Sequence, residues 1–150
     1  MTKEELMKYP LFQEFTESET DLLIQTAIQV KFEKDQMLFE SDKSGDEMYI
    51  LQSGLVKVFR TVKSKDVTLT FLTPGDFCGE MSLVDDGARS ASAKAVEPTQ
   101  AISLTRQQFE GLRDQAPSLY LKLLDIIIKL LCLRLRQANQ TMEVIRFWIG

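Results

Sequence analysis

Apolar residues recur at two different periods along the chain, and the changes of period divide it into three stretches. Near the start, Thr16 and Glu19 have the spacing of a capping box and are followed by Leu22, Leu23, Ile24 and Ala27, which predicts a short helix. Just upstream, Pro10-Leu11-Phe12 and Phe15 read as a turn that docks aromatic side chains on the core. From about Ile28 to Leu104 the period shortens. Val67-Thr68-Leu69-Thr70-Phe71 alternates strictly, as a half-buried strand does. Met48 to Leu51 is a short apolar run, and Val56-Lys57-Val58-Phe59-Arg60 follows Ser53-Gly54. Gly45-Asp46, Ser53-Gly54, Pro74-Gly75-Asp76 and Glu97-Pro98 supply turn chemistry between the runs. Short strands at near-regular spacing predict a small antiparallel barrel or roll.

The third stretch is helical again. Thr105 and Gln108 make a second capping box, opening a helix that Gly111, or Gln115 to Pro117, would end. A long helix is expected to start near Pro117, a residue favoured in a first turn. Along it Leu121, Leu124, Ile128, Leu131, Leu135, Ala138, Met142 and Ile145 recur at alternating spacings of three and four. That is the seam of a coiled coil. Lys122, Lys129, Arg136 and Glu143 form a solvated face. Leu123, Ile126, Ile127, Leu130 and Leu133 add a second apolar face, so one face is expected on the roll and the other on a second copy of the helix. Lys122, Asp125, Lys129 and Arg134 interrupt the apolar run too often for insertion in a membrane.

At 150 residues, with 44% hydrophobic and 27% charged positions, the chain has the make-up of one globular domain. Its net charge of −4 gives no overall attraction to nucleic acid. There is no histidine, which excludes a Ser-His-Asp triad, a Cys-His pair and any His-ligated zinc or iron. Cys78 and Cys132 fit neither a disulfide framework nor a metal-spacing motif and read as two buried, reduced thiols. The start Met1-Thr2-Lys3-Glu4-Glu5 is charged, and a cytoplasmic location is expected.

Candidate chemistry lies between Phe77 and Ala91. The segment reads as a turn ending in Gly79, a helix-like turn from Glu80 to Val84, a polar loop, and Arg89-Ser90-Ala91 leading into a strand. A short helical turn after glycine exposes backbone N–H groups to an anion. Arg89 brings a planar cationic fork suited to phosphate oxygens, and Ser90 adds a hydroxyl donor. Ala88 and Ala91 leave room for a ligand near the backbone. Other readings of the same residues stand beside this one. Arg89 pairs with Asp85 or Asp86 at the surface, Glu80 complements a helix dipole, and Ser90 is an ordinary strand serine.

Gly79-Glu80-Met81-Ser82-Leu83 followed by Arg89-Ser90-Ala91 resembles the phosphate-binding cassette of cyclic-nucleotide-binding domains. The framing is similar too: Tyr49-Ile50-Leu51, Ser53-Gly54 and Val56-Lys57-Val58, then Leu72 and Pro74-Gly75-Asp76-Phe77. The likeness runs over nearly the whole chain. It implies a mainly β fold, an antiparallel β-roll of jelly-roll type, with N-terminal helices over 1–27, the roll over 28–104 and C-terminal helices over 105–150. It implies that Arg89 pairs with the cyclic phosphate of cAMP or cGMP and that Ser90 hydrogen-bonds one of its oxygens. Glu80 would accept from the ribose 2′-hydroxyl, and N–H groups from Glu80 to Ser82 would cradle the phosphate. Gly79, Met81, Ala91 and Arg134 complete the expected ligand-binding set, Arg134 by stacking on the purine or bonding its edge, unless it snorkels to solvent. Asn139 is a further candidate for the base. Where the family has turn glycines, this chain has Asp35 and Asp42.

The reading that follows is a sensor of cyclic nucleotide that is not an enzyme, uses no metal, and signals by moving its C-terminal helix. A homodimer through that helix is expected, with Val144, Ile145, Phe147, Trp148 and Ile149 as an apolar end for a protein partner. The alternatives are a fold of this kind that has lost its ligand and serves dimerisation or docking, or the sensor part of a larger transcription regulator. Regulators of that kind continue past the long helix into a helix-turn-helix domain; with nothing after Gly150, DNA binding by this chain is not expected.

Overall fold

In a computed structural model that describes residues 1–149, with side chains as far as Met142, the three stretches become helices, a roll and helices. The chain runs through α1 (Lys3–Met7), a 3-10 turn (Pro10–Phe12) and α2 (Glu17–Thr26). The strands are β1 (Ile28–Phe32), β2 (Met37–Phe39), β3 (Glu47–Ser53), β4 (Val56–Val62), β5 (Lys65–Leu72), β6 (Phe77–Cys78), β7 (Ser92–Ala95) and β8 (Thr99–Thr105). Between β6 and β7 lies α3 (Met81–Val84), and α4 (Arg106–Gln115) and α5 (Pro117–Ile149) follow β8. Capping boxes at Thr16 and Thr105 open α2 and α4, and Pro117 opens α5. α4 passes Gly111 and stops at Gln115.

Two antiparallel four-stranded sheets, in the orders β1-β8-β3-β6 and β2-β7-β4-β5, face each other. Long-range pairing of β8 with both β1 and β3 closes the first sheet, and β7 joins β2 to β4 in the second. Leu51, Val56, Leu72, Cys78, Ala93 and Ala101 fill the space between the sheets. A second cluster joins β3 and β6 to the helices. Phe12 stacks on Phe77 with centroids 5.5 Å apart, and Leu83, Phe109, Leu119, Leu123, Ile126 and Ile127 pack around them. The tight turns at Asp35 and Asp42 take left-handed φ values of 69° and 66°, a conformation that aspartate tolerates better than most residues.

Several expectations need correction. β5 is a strand, but it is not half-buried: Val67, Leu69 and Phe71 are each about half exposed, because β5 is the edge of its sheet and only Leu72 turns inward. On α5, Leu123, Ile126 and Ile127 face the core, whereas Leu133 is exposed, because at that level the contact of the helix with the roll is made by the neighbouring Arg134. Lys122 does not belong to a solvated face. Its Nζ donates to the Glu14 carbonyl at 2.9 Å and pairs with Glu19 at 2.7 Å. Of the two cysteines only Cys78 is buried; Cys132 lies on the exposed arc of α5.

Leu121, Ile128, Leu135 and Met142 leave an exposed apolar stripe at seven-residue spacing, flanked by the partly covered Leu124 and Leu131. Glu143, Ile145 and the apolar end from Val144 to Ile149 have side chains outside the described residues. Among the described residues no helix is long and apolar enough to cross a membrane.

Candidate functional site

The site is built on the connection between β6 and β7. β6 pairs with β3 through Tyr49 and Cys78 and through Ile50 and Phe77, and this fixes where the chain leaves the sheet. Burial pushes the Cys78 thiol up to about 12, so it packs as a neutral group. Gly79 then takes φ +78°, and a Cβ there would lie 2.6 Å from Arg89 Nη1 and 2.8 Å from the Glu47 carbonyl. Only glycine supplies both the backbone angle and the space.

α3 starts after Glu80 with no side-chain cap. The Ser82 N–H donates to the Gly79 carbonyl at 3.1 Å and the Leu83 N–H to the Glu80 carbonyl at 3.1 Å. Ser82 thus uses its N–H inside the turn, and the N–H groups left without a partner among the described residues are those of Glu80 and Met81. Leu83 is buried and anchors the turn in the core.

Arg89 is 5% exposed. Its Nη2 donates to the Glu47 carbonyl at 2.8 Å and its Nη1 to the Gly79 carbonyl at 3.3 Å. The guanidinium lies over the Phe39 ring, 4.2 Å from the centroid, a stacking contact that favours arginine. Backbone bonds from Asp42 N–H to the Arg89 carbonyl and from Arg89 N–H to the Lys43 carbonyl, both 2.9 Å, fix the residue against the β2–β3 loop. Gly45 of that loop packs so closely that a Cβ would sit 2.3 Å from Arg89 Nε. Burial pulls the Arg89 pKa below the ordinary guanidinium value, with Tyr49, Cys78 and Glu47 opposing it.

No carboxylate lies within ion-pair distance of Arg89 among the described residues, and its Nε has no acceptor. Asp85 and Asp86 turn away, Asp86 to pair with Arg106. The Glu47 carboxylate is held elsewhere, accepting from the Tyr49 hydroxyl at 2.5 Å and from Ser103 at 2.9 Å. A buried cation in this setting is costly unless an anion meets it.

Glu80 is 2% exposed. One of its carboxylate oxygens pairs with Arg134 of α5, and the other is buried with no partner among the described residues. Arg134 Nη2 also donates to the Phe77 carbonyl at 2.8 Å. Ser90 is exposed, with its hydroxyl 3.8 Å from the Met81 sulfur, and its carbonyl accepts from Arg60. Ala91 is buried beneath.

The structure therefore brings Gly79, Glu80, Met81, Ser82, Arg89, Ser90, Ala91 and Arg134 together, with Asn139 exposed further along α5. The residues that hold Arg89 in place, Phe39, Gly45 and Glu47, were missed from sequence, as was Arg60. Gly45 was legible only as a turn residue. The cavity of about 420 Å³ lined by Phe39, Gly45, Glu47 and Arg89 lies on the loop side of the guanidinium, and Glu80, Ser90 and Arg134 do not line it. Among the described residues no group of His, Cys, Asp or Glu is arranged to hold a metal ion.

Residues 29–116 match the family described as "Cyclic nucleotide-binding domain". The chain is 34% identical to the cyclic AMP receptor protein of Thermus thermophilus over 92% of its own length and 62% of that protein's. It is 29% identical to a CRP-like cAMP-activated global transcriptional regulator of Mycobacterium tuberculosis, over 79% of the chain and 51% of the relative. The chain thus spans about half to three-fifths of the length of these relatives. Among solved structures, a cyclic nucleotide-binding domain from Methylobacillus flagellatus superposes with a TM-score of 0.83 at 28% identity, over 93% of this chain and 81% of that one. The Thermus thermophilus catabolite activator protein gives 0.81 at 34% identity, over 93% and 64%.

Proposed function

Because the chain belongs to the cyclic nucleotide-binding domain family, we propose that it binds cAMP or cGMP between α3, Arg89 and α5 and passes the event on through α5. The observation that carries this reading is the buried Arg89, held by two carbonyls and an aromatic ring with no carboxylate among the described residues to neutralise it. A cyclic phosphate supplies the one negative charge that the site lacks. Ser90 and the N–H groups of Glu80 and Met81 are the further donors, and the unpaired oxygen of Glu80 is the acceptor for the ribose 2′-hydroxyl. Gly79, Ser82 and Ala91 shape the turn. Arg134, already at Glu80, stands where the purine would meet α5.

The role is regulatory: these residues bind and orient a ligand, and none is assigned a bond-making step. The signal would be a shift of α5 as the ligand rearranges the Glu80–Arg134 contact, read out across a dimer formed on the stripe of Leu121, Ile128, Leu135 and Met142. In a longer protein the same shift would act on whatever follows the helix. Calorimetric titration of the protein with cAMP and with cGMP tests the reading; no heat and no thermal stabilisation at millimolar nucleotide would overturn it.

One observation favours a second reading. Arg134 already occupies Glu80, so a side chain stands where the ligand's ribose would be recognised. In that reading the domain is a dimerisation or docking unit without ligand. It is preferred if the wild type binds no nucleotide and Arg89→Ala leaves its assembly unchanged.

A further inference from the structure

Among the described residues, the Arg106 side chain bonds only to cassette residues. Arg106 is the first residue of α4, directly after the Thr105 cap. Its Nε–H donates to the Ser82 carbonyl at 2.9 Å and its Nη2 to the Asp85 carbonyl at 2.7 Å, while Nη1 pairs with Asp86. A helix as short as α3 leaves its last carbonyls without donors of its own. The guanidinium supplies those donors, with the sign of charge that a helix C-terminus favours. The backbone N–H of Arg106 donates to the Asp46 carbonyl at 2.6 Å. The very next residue, Glu47, provides the carbonyl that holds Arg89.

One residue is therefore bonded to both halves of the anion cradle. Its side chain holds the α3 turn that carries the Glu80 and Met81 N–H groups, and its backbone holds the segment that grips Arg89. We propose that Arg106 is a positioning residue that sets the spacing between α3 and the Arg89 guanidinium, and so the affinity for the phosphate. This rests on the cyclic-nucleotide reading above. α3 has no N-terminal side-chain cap, and its anchor in the core is Leu83. Without Arg106 the turn is free to drift, and a ligand must spend binding energy to restore the spacing.

The test is a double-variant cycle of Arg106→Ala and Arg89→Lys, with cAMP and cGMP affinities measured by calorimetry below the melting temperature of each variant. Arg106→Ala is expected to weaken both nucleotides alike, by about tenfold, because the phosphate cradle is blind to the base. The double variant is expected to bind within about twofold of Arg89→Lys alone, since both changes damage one unit. A residue that acts on binding independently of Arg89 would instead add its loss in full, and one that merely stabilises the fold would leave the affinity of the folded variant at the wild-type level. Arg106→Lys, with one point charge for two carbonyls, restores only part of the affinity. Arg113→Ala, which removes an exposed guanidinium from the same helix, leaves affinity unchanged. Should Arg106→Ala not fold, Arg106→Gln carries the same expectation. Wild-type affinity in a folded Arg106 variant, or full additivity in the cycle, overturns the proposal. A wild-type protein that binds neither nucleotide overturns the underlying reading instead, and that result is visible before any variant is made.

Discussion

Glu80 of the cassette turn and Arg134 of α5, 54 residues apart in the chain, form an ion pair across the mouth of the site. The pair has two unequal ends. Glu80 is buried, whereas about a third of the Arg134 side chain remains exposed. Removing Arg134 strands a buried carboxylate, and the partial exposure of the pair moderates the cost to about 1–3 kcal/mol. Arg134→Ala is expected to lower the melting temperature. Adding Glu80→Gln to that variant should recover part of the loss, because a neutral amide tolerates burial better than a charge. Equal melting temperatures for Arg134→Ala and wild type would show that the contact does not hold α5.

Arg89→Ala removes the cation and leaves the Glu47 and Gly79 carbonyls without their donors. Nucleotide affinity is expected to fall by about 30-fold to several-thousand-fold. Arg89→Lys should recover little of it, since an ammonium cannot stack on Phe39 and bond two carbonyls at once. Calorimetry on variants whose circular dichroism matches wild type checks both.

Two glycines touch the same guanidinium, and their substitutions should differ. At Gly79 an alanine meets both a φ of +78° and the Glu47 carbonyl, so Gly79→Ala is expected to cost stability as well as binding. Gly45 has no such backbone angle, and its neighbour is the end of the Arg89 side chain. Gly45→Ala is expected to displace that side chain and weaken nucleotide binding with a smaller loss in melting temperature. The same effect on both quantities at both positions would contradict this account.

How far the sequence carries depends on how local the cause is. Capping boxes at Thr16 and Thr105 and the Pro117 start are set by neighbours in the chain, and each appears where the pattern predicts. Asp35 and Asp42 take the left-handed turns that their side chains tolerate. The cassette residues were legible because they lie within 13 positions of one another and follow a family pattern. The grip on Arg89 was not, because Phe39 and Glu47 reach it from other strands. The exposure of Val67, Leu69 and Phe71 was illegible for a related reason: alternation gives the two faces of a strand, not whether anything covers them.

The stripe of Leu121, Ile128, Leu135 and Met142 gives a direct test of assembly. Ile128 is exposed and central, so Ile128→Glu should spare the fold of a single chain while placing like charges against each other in a paired helix. Sedimentation equilibrium is expected to show wild type as a dimer and Ile128→Glu as a monomer with unchanged circular dichroism. A wild-type monomer at all concentrations would remove the dimer from the proposed mechanism.

The base of α5 is fastened by Lys122, which pairs with Glu19 at the start of α2. Burial works to raise the Glu19 pKa, but hydrogen bonds from Lys122 and from the Thr16 N–H outweigh it, and the result lies below the ordinary 4.5. A carboxylate depressed in the folded state binds its proton more readily in the unfolded chain. Its contribution to stability is therefore complete above 4.5 and is lost as pH falls through the folded value. Glu19→Gln is expected to be less stable than wild type at about pH 7, and the gap should narrow steadily below about pH 4.5. Urea unfolding across that range measures it. Lys122→Met should show the same narrowing relative to wild type, because it removes the partner rather than the acid. A gap that stays constant through the acid limb would mean that Glu19 feels no more of Lys122 when folded than when unfolded. In that case the base of α5 would be held by the Lys122 bond to the Glu14 carbonyl and the packing of Leu119 and Leu123, and the helix would lose one of the two charged clips that the proposed movement pivots between.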